Sequence, residues 1–490
     1  MILNPLSIAA FSAALMVYIP FISLRLVIVI VILTAMLAAG VLYFLRLIKP
    51  VFVYMILAAV CGSIIGLWSI SRIDHFAPGL PAETISSLRG ILLDDPRSFA
   101  GYGHNMLPEM ERGMAVMQLK EAGISGTVRT SARGRVLVFF PAGTMPRLRE
   151  FGRGAEIFVE GNFLPEDFSP GLGTIPRFRS ESVHVIQSAS VFEQRRNTIR
   201  SSILSRLQPK DWGALAAALL MGTRENLDGS LADSFRNAGL SYLLALSGMH
   251  LAFLSAMLAL ILKKPLGKNG AIIAGMVFII LYVFLVGPQP SLVRSLIMYV
   301  TGSLLILGGT KRQPFAVLGI AFLVQILWNP LSAYSISFIL SYAALIGIFA
   351  VSGKIDALFR GYIPALFAKG FALSAGAFLA SAPFVIAFFG ILRPAGIIIG
   401  FFAAPLIAVF MALSLAWLIL GQVPVLGMIL DTLLGILQYG MHRVIHLFSR
   451  LPGISAALPF TLIVTVILIA GLLLFSQSHD RYRKHLAPFV

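Results

Sequence analysis

Ser247, Gly248 and His250 interrupt the otherwise apolar run NAGLSYLLALSGMHLAFLSAML, residues 237–258. A serine and a histidine three apart on one helix share a side, and such a pair is the beginning of a nucleophile and its base. No acid stands nearby in sequence to orient the imidazole, and neighbours on one helix rarely meet as a dyad must. The spacing fits better a stripe of small residues, Ser241, Ala245 and Gly248, that lets a second helix or a lumen come close. His250 would then face a polar interior. Arg294, in VGPQPSLVRSLIMY, sits just inside a span that opens after Pro288 and Pro290. It can snorkel to the headgroups or face a water-filled passage for phosphate groups. Ser337, Ser341 and Tyr342 bring hydroxyls into a further apolar run, SAYSISFILSY, for cross-helix hydrogen bonds or for a wet pore.

The remaining chemistry is sparse. His442 and His446 are four apart, a spacing zinc accepts, but with no third ligand in view they read as an interfacial structural pair. The single cysteine, Cys61, excludes an internal disulfide and a cysteine-based zinc or iron–sulfur site. HExxH, P-loop, GxSxG and DxD constellations do not emerge. The expectation is therefore no catalytic residue, no metal and no cofactor, ATP included. Between residues 241 and 475 the acids are Asp356 and Asp431, neither inside a clear span. Ion-coupled transporters usually keep a carboxylate at membrane depth, so this pattern argues against secondary transport.

The elements that must hold these residues are membrane helices. Of 490 residues, 58% are hydrophobic and 12% charged, with a mean hydropathy of +0.89. That is a polytopic membrane protein. The net charge of +17 is uneven. Residues 73–198 hold 14 basic and 14 acidic residues, and the rest of the chain holds 24 and 7. A basic excess confined to the membrane part reports positive-inside loops and anionic lipid, or an anionic cargo such as a nucleic acid.

Five regions follow. Residues 1–72 carry spans at about 5–21, 26–45 and 51–70, the first a retained helix and not a cleaved leader. Arg46 and Lys49 place the second loop in the cytoplasm and residue 72 outside. Residues 73–198 read as an extracytoplasmic β-rich domain, of a size for a small barrel, with strand patterns at 125–143, 154–164 and 182–188. Within it, 84–120 fits neither pattern cleanly, with a helical reading open at its end. Residues 199–240, with Arg224 and Arg236, read as amphipathic and interfacial. Residues 241–478 form the main bundle, with spans near 242–262, 270–286, 291–308, 315–328, 332–351, 366–390, 394–421 and 460–476 and an interfacial helix at 424–450. Residues 479–490 form a basic cytoplasmic tail.

The stretch ALLMGTRENLDGSLADSFRNAGLSYLLALSGMHLAFLSAML, 218–258, resembles the signature of ComEC-type competence proteins, inner-membrane channels of bacterial DNA uptake. The match runs through Ala218, Leu219, Leu220, Gly222, Arg224, Phe235, Arg236, Ala238, Gly239, Leu240, Ser241, Leu243, Leu244, Ala245, Ser247, Gly248 and His250. PSLVRSLIM and WNPLSAYSISFILSYAALIGI are similar to two further family patterns. The sequence departs at Tyr242, usually histidine, and at Gly400, often asparagine. A C-terminal metallo-β-lactamase-like domain carried by many members is not seen, so no means of hydrolysing DNA is expected. The resemblance implies a polytopic helical protein with an inserted OB-fold-like domain. Single-stranded DNA would be the cargo, threaded past Arg224, Arg236, Ser241, Ser247, Gly248, His250, Arg294, Ser337, Ser341 and Tyr342. Membrane lipids, a DNA receptor outside and a cytoplasmic DNA motor or binding protein would be partners, with both termini in the cytoplasm and the oligomeric state open. Beside it stand a channel for another anionic solute or lipid, a non-transporting assembly subunit, and an intramembrane hydrolase using Ser247.

Overall fold

The computed structural model describes residues 4–18, 50–72, 76–77, 79–99, 112–124, 128–141, 143–164, 175–311 and 313–455. The spans expected at 26–45 and 460–476 and the basic tail lie outside them. The chain divides into two compact units. One is helical and holds residues up to Ser71, Asp228–Ile280 and the chain from Gln289; the other holds Arg72–Leu227 and Leu281–Pro288.

The helical unit starts with α1 (Pro5–Tyr18) and α2 (Pro50–Ser71). Gly62 and Gly66, one turn apart on α2, lie on the backbone of Ala9 and Ala13. A Cβ at Gly62 would overlap the Ala9 carbonyl, and one at Gly66 would sit 2.7 Å from the Ala13 oxygen. Within lipid no hydrophobic force drives helices together, so small residues that admit close backbone packing decide the pairing.

The second unit is built on seven strands: β1 (Ser87–Leu92), β2 (Arg97–Phe99), β3 (Arg112–Ile124), β4 (Val128–Ser131), β5 (Arg135–Phe140), β6 (Glu156–Phe163) and β7 (Arg177–Gln187). Five close on themselves in the order β1, β3, β5, β7, β6 and back to β1. The pair β5–β7 is parallel and the other four are antiparallel. A helix, α3 (Met145–Phe151), sits between the third and fourth barrel strands. This is the arrangement of an OB-fold. Leu88, Met117, Val136, Val138, Ile157, Val159 and Phe178 fill the interior.

The possible helix before residue 120 is instead the central strand β3. Its stretch MAVMQLKEA is made of good helix formers, but Gly113, Ala115, Met117 and Leu119 point inward in strict alternation. β1, β2, β4 and β5 all pair with it. Sheet partners from both sides override a weak local preference. The pattern at 125–143 divides into β4 and β5 around Gly134, whose φ is 111°.

Two helices follow, α4 (Val191–Leu207) and α5 (Gly213–Met221). From α4, Arg196 is wholly enclosed. Its Nη1 and Nη2 reach the Asp95 carboxylate at 3.0 and 2.5 Å. Its Nε donates to the Phe284 and Leu285 carbonyls at 2.8 and 3.1 Å. Arg200 donates to the carbonyls of Met221 and Val286. The last carbonyls of the helix that ends at Val286 have no intrahelical donors, and guanidinium groups satisfy them.

The helical unit continues with α6 (Gly229–Asn237), α7 (Ser241–Leu244), α8 (Gly248–Val286), α9 (Pro290–Leu307) and α10 (Pro314–Trp328). α11 (Ile336–Gly347) runs through a wide turn into α12 (Gly353–Phe359), and α13 (Ala365–Phe389), α14 (Ala395–Leu420) and α15 (Pro424–Ser449) follow. Among the described residues, seven helical stretches, counting 336–359 as one, are long and apolar enough to cross a bilayer. α8 is broken at Gly267 (φ 68°, ψ −179°), so its 39 residues supply two spans. The chain is a multi-pass membrane protein.

Candidate functional site

The run 237–258 is not one helix. It ends α6 at Asn237, turns at Gly239 (φ 76°), makes the single turn α7, and breaks again over Ala245–Ser247 before α8 begins. Ser247 therefore lies ahead of α8, and His250 folds back onto it. Nδ1 of His250 accepts from the Ser247 N–H at 3.2 Å and lies 3.0 Å from Ser247 Oγ. An imidazole that accepts at Nδ1 carries its proton on Nε2, which is buried beside the Leu243 backbone. The serine and histidine do meet, contrary to the expectation for helix neighbours. The break in the backbone makes the contact possible, and the His250 ring takes up the Ser247 N–H just ahead of α8.

Arg294 belongs to the same cluster. It is 4% exposed, one turn into α9. Its Nη2 donates to Ser295 Oγ at 3.3 Å, and Ser295 Oγ donates to the Ser291 carbonyl. Ser291 Oγ donates to the Leu246 carbonyl at 2.8 Å, inside the break before α8. The Tyr342 ring lies under the guanidinium, 5.6 Å from its carbon, within cation–π range. Nε and Nη1 of Arg294 are buried without a hydrogen-bond partner. No carboxylate among the described residues pairs with it: Asp233 pairs with Arg236, Asp356 with Arg360, and Asp228 caps α6.

One member is absent from the sequence reading. Gln325 is 2% exposed. Its Nε2 donates to the Pro290 carbonyl at 2.8 Å, and its Oε1 accepts from the Tyr342 hydroxyl at 3.2 Å. It ties α10 to α9 and α11 and fixes the tyrosine below the arginine. The signal was visible, since Gln325 is the single amide in PFAVLGIAFLVQILW, and a polar group there must find partners.

The structure thus brings Ser247, Gly248, His250, Arg294 and Tyr342 together. Ser337 is exposed and Ser341 half-buried on α11, on a different side from Tyr342, which stacks on Phe338. Ser241 and Arg236 are exposed, and Arg224 is an exposed residue of the other unit. There, Arg129 stacks on Phe158 at 5.4 Å. His446 Nδ1 lies 3.3 Å from Ser234 Oγ. Among the described residues no group of three metal-ligating side chains converges.

A profile of the Competence protein family matches residues 219–480, a range that includes this cluster and more than half of the chain. The chain belongs to that family. ComE operon protein 3 of Bacillus subtilis is 28% identical over 172 residues, 33% of this chain and 22% of that protein. An uncharacterised protein of Aquifex aeolicus is 27% identical over 278 residues, 54% of this chain and 64% of its own length. YcaI of Escherichia coli, also uncharacterised, is 28% identical over 158 residues, 30% and 20% of the two chains. The chain thus spans less than two thirds of each of these relatives. No solved structure matches.

The two departures from the family pattern are neighbours in space. The Tyr242 hydroxyl lies where a Cβ on Gly400 would be, and Leu240 flanks the same point. A larger residue at 242 therefore requires the smallest at 400. Gly400→Asn is expected to destabilise the protein by about 1–3 kcal/mol through overpacking, and Tyr242→His in the same chain is expected to restore most of it. Thermal unfolding of the wild type and the two variants in detergent measures this. Equal melting of the single and double variants would separate the two positions.

Proposed function

We propose that the chain is a bacterial inner-membrane channel for import of single-stranded DNA in competence. The observation that carries this reading is Arg294, a permanently charged side chain buried in an apolar bundle with two unused donors and, among the described residues, no acid beside it. A cation kept at such cost marks a functional position in a membrane protein, and a planar guanidinium suits phosphate. Family membership supplies the process; the arginine supplies a contact for an anionic backbone. The path residues are Ser247, Gly248, His250, Arg294 and Tyr342, with Arg224, Arg236, Ser241, Ser337 and Ser341 as outer candidates. The OB-fold supports the same reading, since such barrels bind single strands through aromatic and basic side chains. No step assigned to the chain is catalytic. A receptor outside and a motor or binding protein inside would act with it.

The basic clusters support an orientation with both termini in the cytoplasm. Lys263, Lys264 and Lys268, then Lys311, then Lys354 and Arg360 follow one another at intervals of two spans, as positive-inside loops do. Counting α15 as a crossing and adding the expected span at 460–476 returns the basic tail to that side, and the barrel falls outside.

Internalisation of labelled DNA into the nuclease-protected cytoplasm tests the proposal. Deletion of the gene is expected to abolish it. Normal internalisation without the gene would remove DNA as the cargo and leave another anionic solute or lipid.

A further inference from the structure

We infer that the start of α8 and the Arg294 guanidinium form a closed binding site for a single oxyanion, the phosphate group of a phosphodiester or of free phosphate. Two sources of positive potential converge there. α8 begins at Gly248, and the first N–H groups of a helix have no intrahelical acceptor and attract anions. Arg294 lies against that point, since Nη2 is 3.6 Å from where a Gly248 Cβ would sit. Nε and Nη1 of the same guanidinium, buried within a residue only 4% exposed, have no partner.

The site is closed. Ser295 Oγ would be 2.6 Å from a Gly248 Cβ, so α8 and α9 touch where an anion would lie. The closed state keeps two donors unsatisfied. An oxyanion at the helix start, on an edge that Nη2 shares with one of them, satisfies that donor, so it binds the open arrangement and not the closed one. A ligand with that preference shifts the population toward opening. The backbone break at Ala245–Ser247 is where the movement can be absorbed, because those residues belong to neither helix and are held by side chains, Ser291 Oγ on the Leu246 carbonyl and His250 on Ser247. An arriving phosphate would thus loosen its own gate. The natural source of that phosphate rests on the DNA reading; the site does not.

The test is equilibrium dialysis of radiolabelled inorganic phosphate against the purified full-length protein in lipid nanodiscs, with hydrogen exchange of residues 241–252. Wild type is expected to bind one phosphate per chain in a saturable manner and to exchange faster at 241–252 when phosphate is present. Arg294→Gln should lower affinity at least tenfold and remove the change in exchange. Arg294→Lys, which keeps the charge without the fork, should bind with intermediate affinity. Saturable binding insensitive to Arg294→Gln, in a variant that melts like wild type, would overturn the site. So would the absence of saturable binding to wild type. If phosphate binds as expected while DNA enters cells without the gene, the site stands and the DNA reading falls. If Arg294→Gln blocks DNA and phosphate does not bind, the reverse holds.

Discussion

Replacing Arg294 by alanine is expected to cut DNA internalisation by roughly 10- to 100-fold, the equivalent of losing one or two charge-assisted hydrogen bonds. The protein itself should accumulate in the membrane at normal levels. Most arginine truncations in a bundle would remove a paired group and strand its partner. Here the chief neighbours are Ser295 Oγ, which keeps its bond to the Ser291 carbonyl, and the Tyr342 ring. Truncation also removes two buried unsatisfied donors, so stability should be unchanged or raised. Activity and stability are thus expected to move in opposite directions, a pattern that a residue serving only the fold does not give. Gln325→Leu is expected to lower internalisation less, by freeing the Tyr342 hydroxyl and the Pro290 carbonyl while leaving the charge. An Arg294→Ala protein that internalises DNA at the wild-type rate would end the phosphate-contact reading.

The second large effect lies in the barrel unit. Asp95→Ala is expected to destabilise it by about 3–5 kcal/mol, the cost of breaking a buried ion pair and leaving one charge behind. Arg196 has no exposed side-chain surface, and Asp95 supplies both ends of its bidentate contact. Its other partners, the Phe284 and Leu285 carbonyls on Nε, Glu193 at 3.4 Å and Asn197, do not replace that contact. Slowed exchange of barrel amides, lost in the variant, reads the change in the intact chain.

The effect has a pH signature. Burial pushes the Asp95 carboxyl up, but the Arg196 hydrogen bonds and the charges of Arg196 and Arg200 outweigh it and hold the group below the usual carboxylate range. A carboxyl depressed in the folded state stabilises above its unfolded value, about 4, and that stability disappears as pH falls through the folded value. The gap between wild type and Asp95→Asn should therefore be full at neutral pH and close on acidification below 4. A gap that stays constant down to pH 2 would show that the charge of Asp95 is not what matters.

The sequence alone determined the class of protein. Apolar segments of spanning length, a charge-balanced insert and a long motif at 218–258 follow from composition and order, which no packing can alter. It also singled out Arg294 and His250, because ionisable side chains in apolar runs are visible without coordinates. The tertiary structure decided what each does. β3 is a strand because four neighbours pair with it, although its residues favour a helix. The run 237–258 is broken twice, and only the break lets Ser247 and His250 meet. Tyr342 reaches Arg294 from 48 residues further along the chain, and Gln325, which holds that tyrosine, lies 31 residues further, distances over which no periodicity carries information. Tyr242 and Gly400 explain each other only when the hydroxyl is seen in the space of the missing Cβ. Spacing reports what neighbours on one element can do; which elements face each other depends on packing, and the site is built across four of them.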